Sequence, residues 1–99
     1  MASGGTRIKN GSVLGTGSAL NVRTVGFRPS KVELINKDSH DKLTWTDKMA
    51  DAEGHKQVAA GTSSYLSANG ITPLSDGFTV GADTDLNVAD ETILWTAHE

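Results

Sequence analysis

The chain predicts a small all-β antiparallel domain, a sandwich or barrel of jelly-roll-like kind, and three features carry that expectation. Short runs of alternating apolar and polar residues recur along it, among them Phe78-Thr79-Val80 and Lys42-Leu43-Thr44-Trp45-Thr46. Such alternation turns one face of a strand toward a core. Glycine, asparagine, aspartate and proline punctuate the runs at short intervals, as turns between strands require. No stretch carries the apolar spacing of a helix of three turns.

Taken in order, residues 1–18 read as an N-terminal arm or hairpin and residues 19–99 as a single β-domain. Met1-Ala2-Ser3-Gly4-Gly5 is small in every side chain and is expected to be flexible. Asn10-Gly11, between Thr6-Arg7-Ile8-Lys9 and Ser12-Val13-Leu14, is the dipeptide of tight type I′ turns. Gly15-Thr16-Gly17-Ser18 ends the arm. Leu20 and Val22 then alternate with Asn21 and Arg23. Phe27 plugs the core beside a corner at Arg28-Pro29, where proline fixes its own φ and pushes its predecessor toward extended geometry. In Lys31-Val32-Glu33-Leu34-Ile35-Asn36, Val32 and Leu34 face in and Ile35 faces out.

Asp38-Ser39-His40-Asp41 is a turn by composition, after which Leu43 and Trp45 share a face. Residues 48–56 contain Gly54 and are expected as an irregular loop leading to a weak strand at 57–60. Tyr65-Leu66 reads as a brief strand or turn, Asn69-Gly70 as a turn, and Ile71-Thr72-Pro73-Leu74 as a short strand that Pro73 confines to an edge or an irregular position. The chain closes on Asp76-Gly77-Phe78-Thr79-Val80-Gly81, an acidic loop, and a last strand Thr92-Ile93-Leu94-Trp95-Thr96-Ala97 with Ile93 and Trp95 inward. The expected core is therefore Leu20, Val22, Phe27, Val32, Leu34, Leu43, Trp45, Phe78, Val80, Ile93 and Trp95.

Composition narrows the function classes. Ninety-nine residues are enough for one core, but the hydrophobic share is 36% and large side chains are few. The absence of cysteine excludes disulfides, thiolate chemistry and sulfur-ligated zinc. No apolar run approaches the roughly 18 residues of a membrane span, and the N-terminus lacks the layout of a signal peptide, so a soluble protein made in the cytoplasm is expected. Net charge is −3, unevenly distributed: six basic residues and one acid up to residue 37 give +5, while three lysines and eleven acids beyond it give −8. Such charges ordinarily solvate the outer faces of both halves; the sharper reading is complementary docking between copies or onto a larger assembly. Neither reading suits nucleic acid, whose binders carry a dense cationic footprint.

Motif analysis assigns no catalytic, cofactor-binding or metal-ligating residue. Asp83-Thr84-Asp85-Leu86-Asn87 opens like a calcium loop, but Val88 stands where the turn glycine belongs and Leu94 where the bidentate glutamate belongs. It reads instead as an acidic turn that caps backbone amides. Gly15-Thr16-Gly17 lacks the third glycine and the helix of a phosphate loop. His40, His55 and His98 are isolated and read as solvated loop residues, and no serine sits in a nucleophile elbow.

Four segments together carry a resemblance. Gly26-Phe27-Arg28-Pro29-Ser30-Lys31-Val32, Trp45-Thr46-Asp47-Lys48-Met49, Asn69-Gly70-Ile71-Thr72-Pro73-Leu74 and Asp76-Gly77-Phe78-Thr79-Val80-Gly81, with Asn87 and Trp95, resemble a group of small tailed-bacteriophage virion proteins over residues 20–98. The resemblance implies a non-enzymatic structural protein located in the virion, of capsid decoration, cement or head-fibre type. Its partners would be the major capsid protein or another virion protein and further copies of itself, as dimer or trimer, with no cofactor, nucleic acid or membrane involved. An arm at 4–17 would then add a strand to a neighbour or reach over the shell, and Arg7, Ile8, Val13, Leu14, Ile35 and Tyr65 are the candidate contact residues. The alternatives are a tail component and a receptor- or carbohydrate-binding module. The latter would expose Trp45 and Trp95 in a groove, whereas a structural protein would bury them.

Overall fold

A computed structural model describes residues 7–99, and the expectation of a flexible start at residues 1–5 lies outside them. Where the sequence leaves sandwich and barrel open, the strands form one sheet. They are β1 (Ile8–Leu14), β2 (Leu20–Val22), β3 (Lys31–Asn36), β4 (Lys42–Thr46), β5 (Glu53–Gln57), β6 (Ser63–Leu74), β7 (Gly77–Val80) and β8 (Thr92–His98). Every pairing is antiparallel, in the order β1-β8-β3-β4-β5-β6-β7-β2. The sheet curls into a nearly closed barrel whose two edges, β1 and β2, are consecutive in the chain.

The alternation in the sequence becomes the wall of the core. Val32 and Leu34 of β3, Leu43 and Trp45 of β4, Phe78 and Val80 of β7, and Ile93, Trp95 and Ala97 of β8 are all buried. Val22, Val25, Phe27, Ile71 and Leu86 complete the cluster, and Leu20 packs half-buried against it. β7 and β8 are not neighbours in the sheet, yet Phe78 and Trp95 meet in the core edge to face, with ring centroids 5.6 Å apart. That is the favoured arrangement of two aromatic quadrupoles. Trp45 donates its indole N–H to the Ala50 carbonyl at 3.1 Å, which removes the cost of burying that polar atom.

Four sequence expectations need correction. Asn10-Gly11 makes no turn: both residues lie inside β1, paired with β8 from Ile8↔His98 to Leu14↔Thr92. Over its described part the segment expected as an arm lies in the sheet, where Val13 packs against the core and a Cβ on Gly11 would stand 2.7 Å from Trp95. The weak strand expected at 57–60 lies earlier, at Glu53–Gln57, because Gly54 and Lys56 take the inward positions. Asn69-Gly70 is also not a hairpin turn. It is a bulge in β6, which pairs with β5 through Ser63–Leu66 and with β7 through Ile71–Leu74. Asn69 adopts φ 62, and Gly70 lies so near the Glu53 carbonyl that a Cβ would meet it at 2.1 Å. Pro73 sits past the last β5 partner, Ile71, where its missing N–H leaves no ladder bond unmade on that side. Finally, His55 and His98 belong to strands β5 and β8 rather than to loops.

Candidate interaction surface

The outward residues of β1, β8, β3, β4, β5 and β6 align in register. One row runs Ser12, Leu94, Ile35, Lys42, Gln57, and the next runs Asn10, Thr96, Glu33, Thr44, His55, Tyr65. Directly paired residues on one face have Cβ atoms about 4.5–5.5 Å apart, so Ile35 and Leu94 form an apolar centre within a belt of threonines and charges. An open depression of about 280 Å³ lies there, lined by Glu33, Ile35, Lys42, Thr44, Leu94 and Thr96. Leu94 is 39% exposed, and at the rim of the sheet Ile8 and Leu14 of β1 are 61% and 54% exposed. Apolar side chains left in water on a strand surface favour contact with another protein.

The other candidate contact residues divide by what they touch. Arg7 is held by its own chain: it donates Nε to Glu99 Oε1 at 3.0 Å and its second nitrogen to Oε2, with its guanidinium 5.1 Å above the Phe27 ring. The hydrogen bond from Arg7 lowers the Glu99 carboxyl below its usual range, and the same bond raises Arg7. Val13 turns its side chain to the core. Tyr65 is 56% exposed and donates its hydroxyl to Glu53 Oε1 at 2.8 Å, a bond to a carboxylate that pushes the phenol up.

The acidic loop does cap amides: Asp83 Oδ2 accepts from the Asp85 and Leu86 N–H groups at 3.1 and 3.2 Å. Its carboxylates also converge on an internal cation. Lys56, pointing inward from β5, places Nζ 3.0 Å from Asp83 and 2.6 Å from Asp85. Burial pulls the Lys56 pKa down, but hydrogen bonds to Asp85 and Asp83 outweigh it and leave the pKa raised. A lysine that serves as base or nucleophile needs the opposite shift. The cluster therefore holds the loop, and a divalent cation would have to expel the ammonium to bind. Among the described residues no three His, Cys, Asp or Glu side chains gather as a metal site.

Sequence reasoning missed the polar residues that fasten this loop. Asn87 is 2% exposed; its Oδ1 accepts from the N–H groups of Thr16 and Gly17, and its Nδ2 donates to the carbonyls of Ser18 and Gly81. Asn36, fully buried, donates to the Leu86 carbonyl and to Glu91 Oε1 and accepts from the N–H groups of Asp38 and Ser39. Only the inward parity of Asn36 after Val32 and Leu34 signalled its burial. Leu94 was legible in the same way, as the outward residue between Ile93 and Trp95.

The sequence halves of opposite charge do not become two poles. β8, from the acidic half, lies between β1 and β3, and Arg7–Glu99 and Arg23–Asp76 pair residues across the two halves. Comparison with protein-family profiles, curated proteins and solved structures finds no match to this chain.

Proposed function

We propose that this chain is a non-enzymatic structural protein of a bacteriophage virion, a capsid decoration or cement protein. It binds the outer head surface and stabilises it through contacts with the major capsid protein and with sibling copies. The observation that carries this reading is the distribution of large apolar side chains. Trp45 is 1% and Trp95 4% exposed, so neither forms the aromatic platform that a carbohydrate-binding module would present. What remains outside is a strand face centred on Ile35 and Leu94 and, among the described residues, an unpaired edge strand. Both are means of gripping another protein.

Purified particles test the assignment. Mass spectrometry with cryo-EM should find the chain over the whole shell, whereas a single ring of copies would place it at the neck or tail, and absence from particles would reject the reading. The paired substitution Ile35→Asp and Leu94→Lys, which sets opposite charges on directly paired positions, should abolish particle occupancy while leaving the circular-dichroism spectrum and thermal midpoint of the free protein nearly unchanged. Undiminished occupancy would remove this face from the contact.

A further inference from the structure

We propose that β1 pairs antiparallel with β1 of a second copy across a twofold axis at Gly11, giving a homodimer whose sheet runs continuously through both barrels. This supplies the sibling contact of the function proposed above with a definite register, although the argument rests on β1 alone.

The backbone geometry leaves one side of β1 open. Glu99 N–H donates to the Arg7 carbonyl and Gly15 N–H to the Glu91 carbonyl, each at 2.8 Å, at the two ends of the β1–β8 ladder. Hydrogen-bonded pairs alternate along an antiparallel ladder. The odd residues of β1 therefore bond to β8, and the N–H and C=O groups of Ile8, Asn10, Ser12 and Leu14 point away from it. Among the described residues no hydrogen bond from outside the strand pair reaches these four. Unpaired edges of this kind are templates for another strand.

The side chains select the partner and the register. A strand seven residues long, with an exposed apolar residue at each end, is self-complementary about its middle. Pairing Gly11 with Gly11 sets Ile8 against Leu14 of the second copy at both ends and Asn10 against Ser12 between them. The same register makes these even residues the hydrogen-bonded pairs, as their free backbone groups demand. Shifting either copy by two residues leaves an apolar end without its counterpart.

Charge favours the same arrangement. Arg7 falls opposite Gly15 of the second copy, and the Gly15 carbonyl accepts from its own chain's Asp90 N–H at 3.0 Å. The basic end of each β1 thus meets the Asp90-Glu91 corner of the other copy twice, once on each side of the axis. Arg7 is already engaged by Glu99 and Glu91 by Asn36. Lys9 and Asp90 have no ion-pair partner within the described chain, and they are the pair the dimer brings together. Such an isologous contact closes on itself, so it yields a dimer rather than a fibre.

Sedimentation of the full chain across a wide concentration range should show the mass rising from 10.4 kDa to twice that value. Lys9→Glu and Asp90→Lys should each weaken the dimer at low salt, and an equal mixture of the two variants should restore it as a heterodimer. Ser12→Pro removes an outward N–H only and should leave a folded monomer. Should that variant not fold, amide exchange of the unaltered protein decides instead: Ile8, Asn10, Ser12 and Leu14 should gain protection as concentration rises, while Lys9 and Val13 are protected throughout. A mass fixed at that of one chain overturns the proposal, as does a dimer indifferent to both charge reversals whose even β1 amides stay unprotected. Since no particle enters these measurements, their failure leaves particle binding standing, and loss of particle binding leaves the dimer standing.

Discussion

The loop at residues 81–91 and the edge strand β1 both mix small and polar residues with a few apolar ones, yet the fold uses them in opposite ways. In the loop, Asp83 and Asn87 turn inward, every one of their interactions described above is made within the chain, and Leu86 closes the barrel below them with no exposure. In β1, backbone groups on one side and the side chains of Ile8 and Leu14 are left facing out. Polarity of sequence therefore does not decide what is available for partners; satisfaction of hydrogen bonds does. The loop is a structural fastening, and β1 is, among the described residues, an open edge.

The strongest way to break that contrast is at Asn87. Its amide makes four hydrogen bonds, three to the β1–β2 connection at Thr16, Gly17 and Ser18 and one to Gly81 within the loop, at 2.9 and 3.3 Å to Oδ1 and 2.6 and 3.0 Å from Nδ2. Asn87→Ala leaves those backbone groups without the partner that Asn87, itself 2% exposed, supplies. At about 1 kcal/mol for each bond, the expected loss is about 4 kcal/mol. The urea midpoint measures it, and a loss below about 1 kcal/mol would mean that the loop is not held this way. Close approach adds to the constraint at this seam. A Cβ on Gly15 would lie 2.2 Å from the Val88 carbonyl oxygen, so the loop and the β1–β2 connection are in backbone contact.

A somewhat smaller effect is expected at Lys56, the other fastening. Lys56→Met keeps the aliphatic stem and strands the Asp83 carboxylate, whose side chain is 10% exposed. Removing one partner of a buried pair costs several kcal/mol; with Asp85 still 46% exposed and able to find water, about 2–3 kcal/mol is expected here. Adding Asp83→Asn to Lys56→Met should recover part of that loss in chemical denaturation, because the stranded charge is then gone. The pH dependence has a definite sign. The Lys56 pKa is raised on folding, so its contribution is complete below the ordinary lysine value of about 10.4 and disappears as pH climbs through the folded value. Lys56→Met should lack this alkaline loss.

These two fastenings also mark where the sequence stopped being legible. Strands with clean alternation, such as Val32-Glu33-Leu34 and Leu43-Thr44-Trp45, were readable because period two maps directly onto in and out. β5 was not, since Glu53-Gly54-His55-Lys56-Gln57 offers no apolar residue to the core and its inward lysine is recognisable only beside Asp83 and Asp85. The two Asn-Gly dipeptides misled for a related reason. Local turn preference is a matter of tenths to about one kcal/mol, and ladder pairing with β8, or the bulge opposite Glu53, overrides it. Asn36 and Asn87 look like turn residues in sequence and become buried cross-links only when segments some 50 to 70 residues away arrive. On the outer face, Ile35 could be read from parity alone, but its neighbour Leu94 becomes a partner only through the β3–β8 register.

The smallest expected effect sharpens the contrast from the β1 side, where the one charged fastening is exposed. Arg7 and Glu99 have side-chain exposures of 59% and 35%, so their pairing is expected to stabilise the chain far less than either loop fastening. Its sign is nevertheless fixed by the carboxyl. The hydrogen bond from Arg7 lowers Glu99 below its ordinary value; stability from the pair is therefore present above the unfolded glutamate value of about 4.3 and is lost as pH falls through the lower folded value. Thermal midpoints of the unaltered chain and of Glu99→Gln should differ slightly at neutral pH and converge in acid, with salt shrinking the neutral-pH gap because the pair is in water. A gap as large as that of Lys56→Met, or one that widens in acid, would show that β1 is fastened electrostatically after all. The loop and the edge would then differ in degree and not in kind.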